Sequence, residues 1–221
     1  MEKHYWLEMD HRFEGLEAIF DGFNKALETF HEKFNQYNWY DGDFYREETE
    51  LIYGVVLVSL QNYINKSCVD FLDEKLFGYK QKYQFYDKNS KIIDAEISQI
   101  RLIIELANYF KHRDDERDFI KSTKDCLTKL GLMKFYKDSD ERFEDELIFE
   151  GLLLINSHKI DINELLQIVK KWRDDTYAEA HNHNNVLNVL KAISDLQVVK
   201  QISNSECSLL KIDNIEKHIK F

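Results

Sequence analysis

The stretch "RLIIELANYFKHRDD", residues 101–115, poses the central question of the fold. Arg101, Glu105, Asn108 and His112 are spaced four, three and four residues apart. A helix turns about 100° per residue, so the four side chains fall within roughly 60° of one another. Leu102, Ile103, Ile104, Leu106, Ala107, Tyr109 and Phe110 take nearly every other direction. The spacing predicts a narrow polar stripe on an otherwise apolar helix. Such a stripe is either the one strip of a central helix that faces water or the lining of a site. On the first reading Arg101 and Glu105 form an i,i+4 ion pair worth about 0.3–0.5 kcal/mol. On the second, His112 serves as acid or base and a nearby cation steadies developing negative charge.

The rest of the chain reads as helical. None of the 221 residues is proline and only seven are glycine, where ordinary usage would give roughly eleven prolines. Proline breaks helices, and loops and hairpins consume glycine, so this composition predicts an all-α bundle of about six helices. Trp6, Met9, Phe13, Leu16, Phe20, Phe23, Leu27, Phe30 and Phe34 keep a three–four spacing, which predicts a first helix with its 6–34 seam buried. "NWYDGDFY" (38–45) breaks it. A second helix is expected from Glu47 to Phe77, central because "LIYGVVLVSL" (51–60) is apolar almost all round. After a polar connection, the striped helix starts near Ile92 and breaks near "KHRDDERD" or runs on to Leu130. Further helices are expected over 140–156, behind the Asp161/Glu164 capping box, and over 186–202. The expected organisation is one α-helical domain over 1–202 with a tail, 203–221, to which the sequence assigns no structure.

Charge and cysteine usage narrow the function classes. The net charge of −11 argues against broad nonspecific nucleic-acid binding. Residues 1–50 hold thirteen acids against five bases, whereas 111–137 hold eight bases against five acids. The basic region, with Lys111, Arg113 and Arg117 as candidate phosphate contacts, begins where the stripe ends. Cys68, Cys126 and Cys207 are odd in number and far apart, as expected of small core residues in a reducing cytoplasm rather than of disulfides or a zinc site. No apolar run approaches the roughly 20 residues of a membrane span. The opening "MEKHYWLEMDHRFEG" lacks a signal peptide's basic-then-apolar order.

"ELANYFKHRD" on a mid-chain helix resembles the HEPN superfamily, helical and often dimeric domains of toxin–antitoxin, abortive-infection and other defence systems. Many of them are metal-independent ribonucleases, and others are noncatalytic modules that bind RNA or a protein partner. The resemblance implies that His112 is the catalytic His, with Arg101 or Arg113 on phosphate and Asn108 and Glu105 orienting the imidazole. The family's Arg, four to six residues before the His, would fall at 105–107, which hold Glu105, Leu106 and Ala107. Arg101 shares the helix face with His112 but lies further upstream. The function implied is a metal-independent endoribonuclease needing no cofactor and acting on RNA as a homodimer, with the striped helix near the two-fold axis and a cognate antitoxin or defence protein as partner. The alternative is a noncatalytic helical module.

"WRDDTYAEAHNHNN" (172–185) supplies a runner-up constellation, Arg173, His181 and His183. The two His residues, two apart, do not share a helix face, so a helical metal site is not expected. "DKNSKIIDAEIS" (87–98) opens like a calcium loop, but its sixth position is Ile92 and its twelfth Ser98, so it fails as one.

Overall fold

α1 (His11–Gln36) and α2 (Gly42–Asp73) form an antiparallel helical hairpin, with Arg12 paired to Asp70 at one end and Lys33 to Glu48 at the other. The computed structural model describes residues 10–94, 96–115, 119–135, 146–156 and 159–182. It divides into two units, Met1–Tyr177 and Ala178–Phe221. Of the second unit, residues 178–182 are described and are helical.

The hairpin corrects two expectations. The break between the helices spans only 37–41, because the Asp41 carboxylate accepts hydrogen bonds from the backbone N–H groups of Asp43 (3.1 Å) and Phe44 (3.2 Å). That cap starts α2 at Gly42, not near Glu47. The helix ends at Asp73, before Lys75 turns into the left-handed region at φ 54°. The aromatic seam of α1 is buried only in part. Phe13, Leu16 and Phe20 are inside, Phe23, Leu27 and Phe30 are half-buried, and Phe34 is 40% exposed. Trp6 and Met9 lie outside the described residues. The reason is geometric: between residues 21 and 48 the hairpin buries a single side chain, Tyr40, so its outer half has only its partner helix to pack on.

A short helix, α3 (Tyr83–Tyr86), interrupts the polar connection and buries Phe85 and Tyr86. The striped helix was expected from Ile92, but the chain first makes a small antiparallel hairpin. β1 (Ile92–Asp94) pairs with β2 (Ile97–Ser98), with Ile92 opposite Ser98 and Asp94 opposite Ile97. The Ser98 hydroxyl then accepts from the Arg101 N–H (3.1 Å) and donates to the Tyr86 carbonyl (2.9 Å). This capping residue fixes the helix start seven residues later than the apolar pattern suggested.

α4 (Gln99–His112) is the centre of the unit, in contact with α2, with α5 (Lys121–Lys129) and with α6 (Glu146–Asn156). It stops at His112 and does not run on to Leu130. Glycines let two neighbours come close. A Cβ built on Gly54 of α2 would lie 2.1 Å from the Phe110 ring, and one on Gly151 of α6 would lie 2.6 Å from Leu106. Beyond α6, Asp161 caps α7 (162–177) by accepting from the N–H groups of Asn163 (2.9 Å) and Glu164 (3.3 Å). α7 docks through Trp172, whose indole N–H donates to the Phe85 carbonyl (3.1 Å) while its ring meets Phe71 edge-on at 6.1 Å. The architecture is all-α apart from the two short strands. Among the described residues no helix is long and apolar enough to cross a membrane. The helix expected over 186–202 and the 203–221 tail lie outside the described residues.

The glycines give a paired test. Gly54→Ala forces its methyl into the Phe110 ring and should lower stability by about 1–3 kcal/mol. Gly22→Ala, with nothing within 4 Å of the added carbon, should instead raise stability by about 0.5–1 kcal/mol through helix propensity. Urea denaturation of the two variants checks both signs.

Candidate functional site

The four polar residues of α4 go to three different places. Arg101 leaves the stripe and forks onto Asp87, the residue after α3, with Nε 2.9 and 3.1 Å from the two carboxylate oxygens. This bond pushes the guanidinium pKa up. The i,i+4 pair with Glu105 expected from the sequence is replaced by this one.

Glu105 turns inward and is 4% exposed. Its Oε2 accepts from the Thr123 hydroxyl of α5 at 2.6 Å and from the Asn108 amide at 3.1 Å. Asn108 in turn accepts at Oδ1 from the Gln61 amide of α2 (2.7 Å), and the same Gln61 nitrogen reaches the Ile104 carbonyl at 3.1 Å. The chain closes with Lys111, whose ammonium donates to Gln61 Oε1 at 2.6 Å. Thr123, Glu105, Asn108, Gln61 and Lys111 are thus one hydrogen-bonded chain running from α5 through α4 to α2. A buried polar group without a partner costs roughly 1–3 kcal/mol, and here each amide and carboxylate finds one. The stripe is therefore not a strip that faces water. Its middle is an internal polar seam.

His112 stands at the outer end. Its Nδ1 lies 2.8 Å from Asp115 Oδ2, and its side chain is 44% exposed. The carboxylate beside Nδ1 orients the ring and favours the tautomer whose Nε2 can accept a hydrogen bond. Among the described residues Nε2 has no partner. Lys111 also occupies the last turn of α4, where a cation complements the unpaired carbonyls of the helix end. Arg113 pairs with the buried carboxylate of Glu50 on α2 and lies with its guanidinium carbon 5.0 Å from the Phe110 ring centre. Arg117 lies outside the described residues.

Among the described candidates for phosphate contact, Arg101 is paired with Asp87 and Arg113 with Glu50, while Lys111 is exposed and holds only the neutral Gln61 amide. Glu105, Leu106 and Ala107, where the family pattern would place its Arg, are all buried. In the runner-up constellation Arg173 is also inside, its Nε 3.4 Å from Asp10 Oδ2 and its Nη1 3.0 Å from Asp174. Asp10 additionally accepts from the Tyr63 hydroxyl. His181 is exposed and belongs to the second unit, and His183 lies outside the described residues. Among the described residues no group of three or more His, Cys, Asp or Glu side chains is placed to hold a metal ion.

Sequence reasoning missed five partners: Asp87, Gln61, Thr123, Asp115 and Glu50. Two of them left a signal. Asp115 is one helical turn beyond His112, and Gln61 follows directly on the apolar run 51–60 of a central helix, where a polar side chain needs an internal acceptor. Asp87, Thr123 and Glu50 left none. Comparison of the chain with known protein families, with curated proteins and with solved structures gives no match.

Two measurements test this anatomy. Thr123→Val keeps the shape of the side chain but removes the donor to Glu105, and should cost about 1–3 kcal/mol in a urea melt. Burial pushes the thiols of Cys68 and Cys126 up to about 12, the Glu105 carboxylate adding to the shift at Cys126. A thiol reagent at pH 8 should therefore leave both unmodified in the native protein and label both in urea, so that no more than one of the three cysteines reacts before unfolding.

Proposed function

We propose that this protein is a noncatalytic helical module of the HEPN-like kind, which binds a protein partner in a defence or toxin–antitoxin setting. The observation that supports this reading best is that both arginines the sequence offers as phosphate contacts, Arg101 and Arg113, are already paired with carboxylates. A phosphodiester in attack by its own 2′-hydroxyl needs a proton acceptor and a cation directed at the developing negative charge. Arg101 and Arg113 already carry carboxylates, and the Glu50 partner of Arg113 is buried. Drawing Arg113 onto a phosphate would take it away from a buried carboxylate, and the attraction given up there opposes the move. The net charge of −11 works in the same direction by repelling RNA. What remains exposed at the end of α4 is Lys111 and the His112–Asp115 pair, polar groups suited to recognition.

A second reading, a metal-independent endoribonuclease, is favoured by one specific observation, the His112–Asp115 pair. In that reaction Nε2 takes the proton of the 2′-hydroxyl as it attacks phosphorus. The leaving 5′-oxygen then receives a proton, and a cyclic phosphate remains. In a homodimer joined through the last turn of α4, the partner copy would bring a second such pair to the site.

Incubation of the full chain with a fluorogenic single-stranded RNA, with and without EDTA, separates the two readings. The module reading expects no hydrolysis above that of His112→Ala. It is overturned if the wild type cleaves and His112→Ala loses roughly a hundred- to ten-thousand-fold in rate with stability changed by less than about 0.5 kcal/mol.

A further inference from the structure

The outer half of the α1–α2 hairpin carries an aromatic surface that the core does not use. Trp39 is 63% exposed and Phe44 is 48% exposed. Leu51 and Val55 of α2 continue the surface, at 62% and 38%. Seven and eleven residues after Phe44, they fall within about 40° of it on the helix. The rings are held in place. Trp39 meets Tyr40 edge-on at 5.8 Å and Phe44 at 6.2 Å, and Tyr40 stacks on Phe44 at 6.3 Å. Beneath them the Tyr40 hydroxyl donates to Glu48 at 2.5 Å, and Lys33 reaches the same carboxylate at 2.8 Å while lying 4.3 Å from the Tyr40 ring centre. The surface is therefore preorganised, and binding to it orders little that is not already ordered.

Charge identifies what fits it. Residues 28–51 hold seven acids and two bases. Both bases are committed, Lys33 to Glu48 and Arg46 to Glu146. Asp43 and Glu47, one residue before and three after Phe44 on α2, remain as exposed carboxylates beside the rings, and Glu28 and Glu32 are exposed on α1. Exposed aromatic patches of this kind mark interaction sites, and aromatic side chains dominate interface energetics. The acidic surround repels RNA and favours a cationic partner by steering its encounter and lowering its off-rate.

We propose that the hairpin tip is a docking surface for a basic amphipathic segment of a protein partner, whose apolar face covers Trp39, Phe44 and Leu51 while its Lys or Arg residues meet Asp43 and Glu47. This rests on the binding-module reading, whose own failure shows as RNA cleavage, a readout the following titration does not share. The probe is a fluorescein-labelled 14-residue Leu/Lys amphipathic peptide, titrated with the full chain and followed by anisotropy. The expected result is saturable binding that weakens at least tenfold in Trp39→Ala/Phe44→Ala and in Asp43→Asn/Glu47→Gln. It should also weaken as salt rises and vanish for the matching Leu/Glu peptide. Glu17→Gln/Asp125→Asn, the same charge change at exposed positions elsewhere, should leave it unchanged. The substituted side chains are exposed, and circular dichroism and melting confirm that each variant folds as the wild type does. The proposal is overturned if the aromatic variant binds equally well, if the two charge variants lose affinity alike, or if single-stranded RNA displaces the peptide. It is also overturned if light scattering shows wild-type self-association abolished by Trp39→Ala/Phe44→Ala, since the surface would then belong to a second copy of this chain.

Discussion

The enclosure of Glu105 is the constraint on which the centre of the molecule depends. A carboxyl group buried at 4% exposure in the middle of an apolar helix must have its hydrogen bonds supplied by the protein. Thr123 supplies one from α5 and Asn108 one from α4 itself. Asn108 is positioned by Gln61 from α2, and Gln61 is closed off by Lys111. Apolar contacts are non-directional, whereas a hydrogen bond needs its partner at a set distance and angle. Donors at fixed heights allow one register only, so the polar seam fixes how α2, α4 and α5 sit while Leu, Ile and Phe side chains supply the bulk of the burial energy.

Close approach makes the seam reachable. Gly54 lets α2 settle against Phe110 and Gly151 lets α6 settle against Leu106, so α4 is held from two sides with side chains of ordinary length. The last turn of α4 escapes this enclosure. There the same helix that is mute inside presents His112 with its Asp115 partner and Arg113 with its Glu50 partner. The helix thus divides by height: its middle is enclosed in the fold, and its end carries an exposed imidazole and ammonium.

The α1–α2 hairpin follows a different logic. Its inner half is a core element, with Phe13, Leu16 and Phe20 buried, and its outer half keeps the same aromatic spacing without a core to receive it. One sequence pattern therefore serves two ends. The inner seam contributes packing, and the outer rings, joined by Trp39 and Phe44 from the turn and α2, form a surface among carboxylates.

The sequence by itself determined the helical class, the existence and face of the striped helix, the Asp161 cap and the basic end beyond His112. These are local properties: proline absence, three–four periodicity and side chains one turn apart act within a few residues and can be read from them. It also showed which residues of α4 are polar, though not what they are for. That was decided by partners distant in the chain. Arg101 and Asp87 are 14 residues apart, Thr123 and Glu105 18, Asn108 and Gln61 47, and Arg113 and Glu50 63. The start of α4 moved from Ile92 to Gln99 for a similar reason, because a small strand pairing and the Ser98 hydroxyl outweigh apolar spacing. Periodicity states that a side chain points away from its apolar neighbours. Only tertiary structure decides whether that direction holds water, a ligand or another helix, because a polar group's cost is set by what surrounds it.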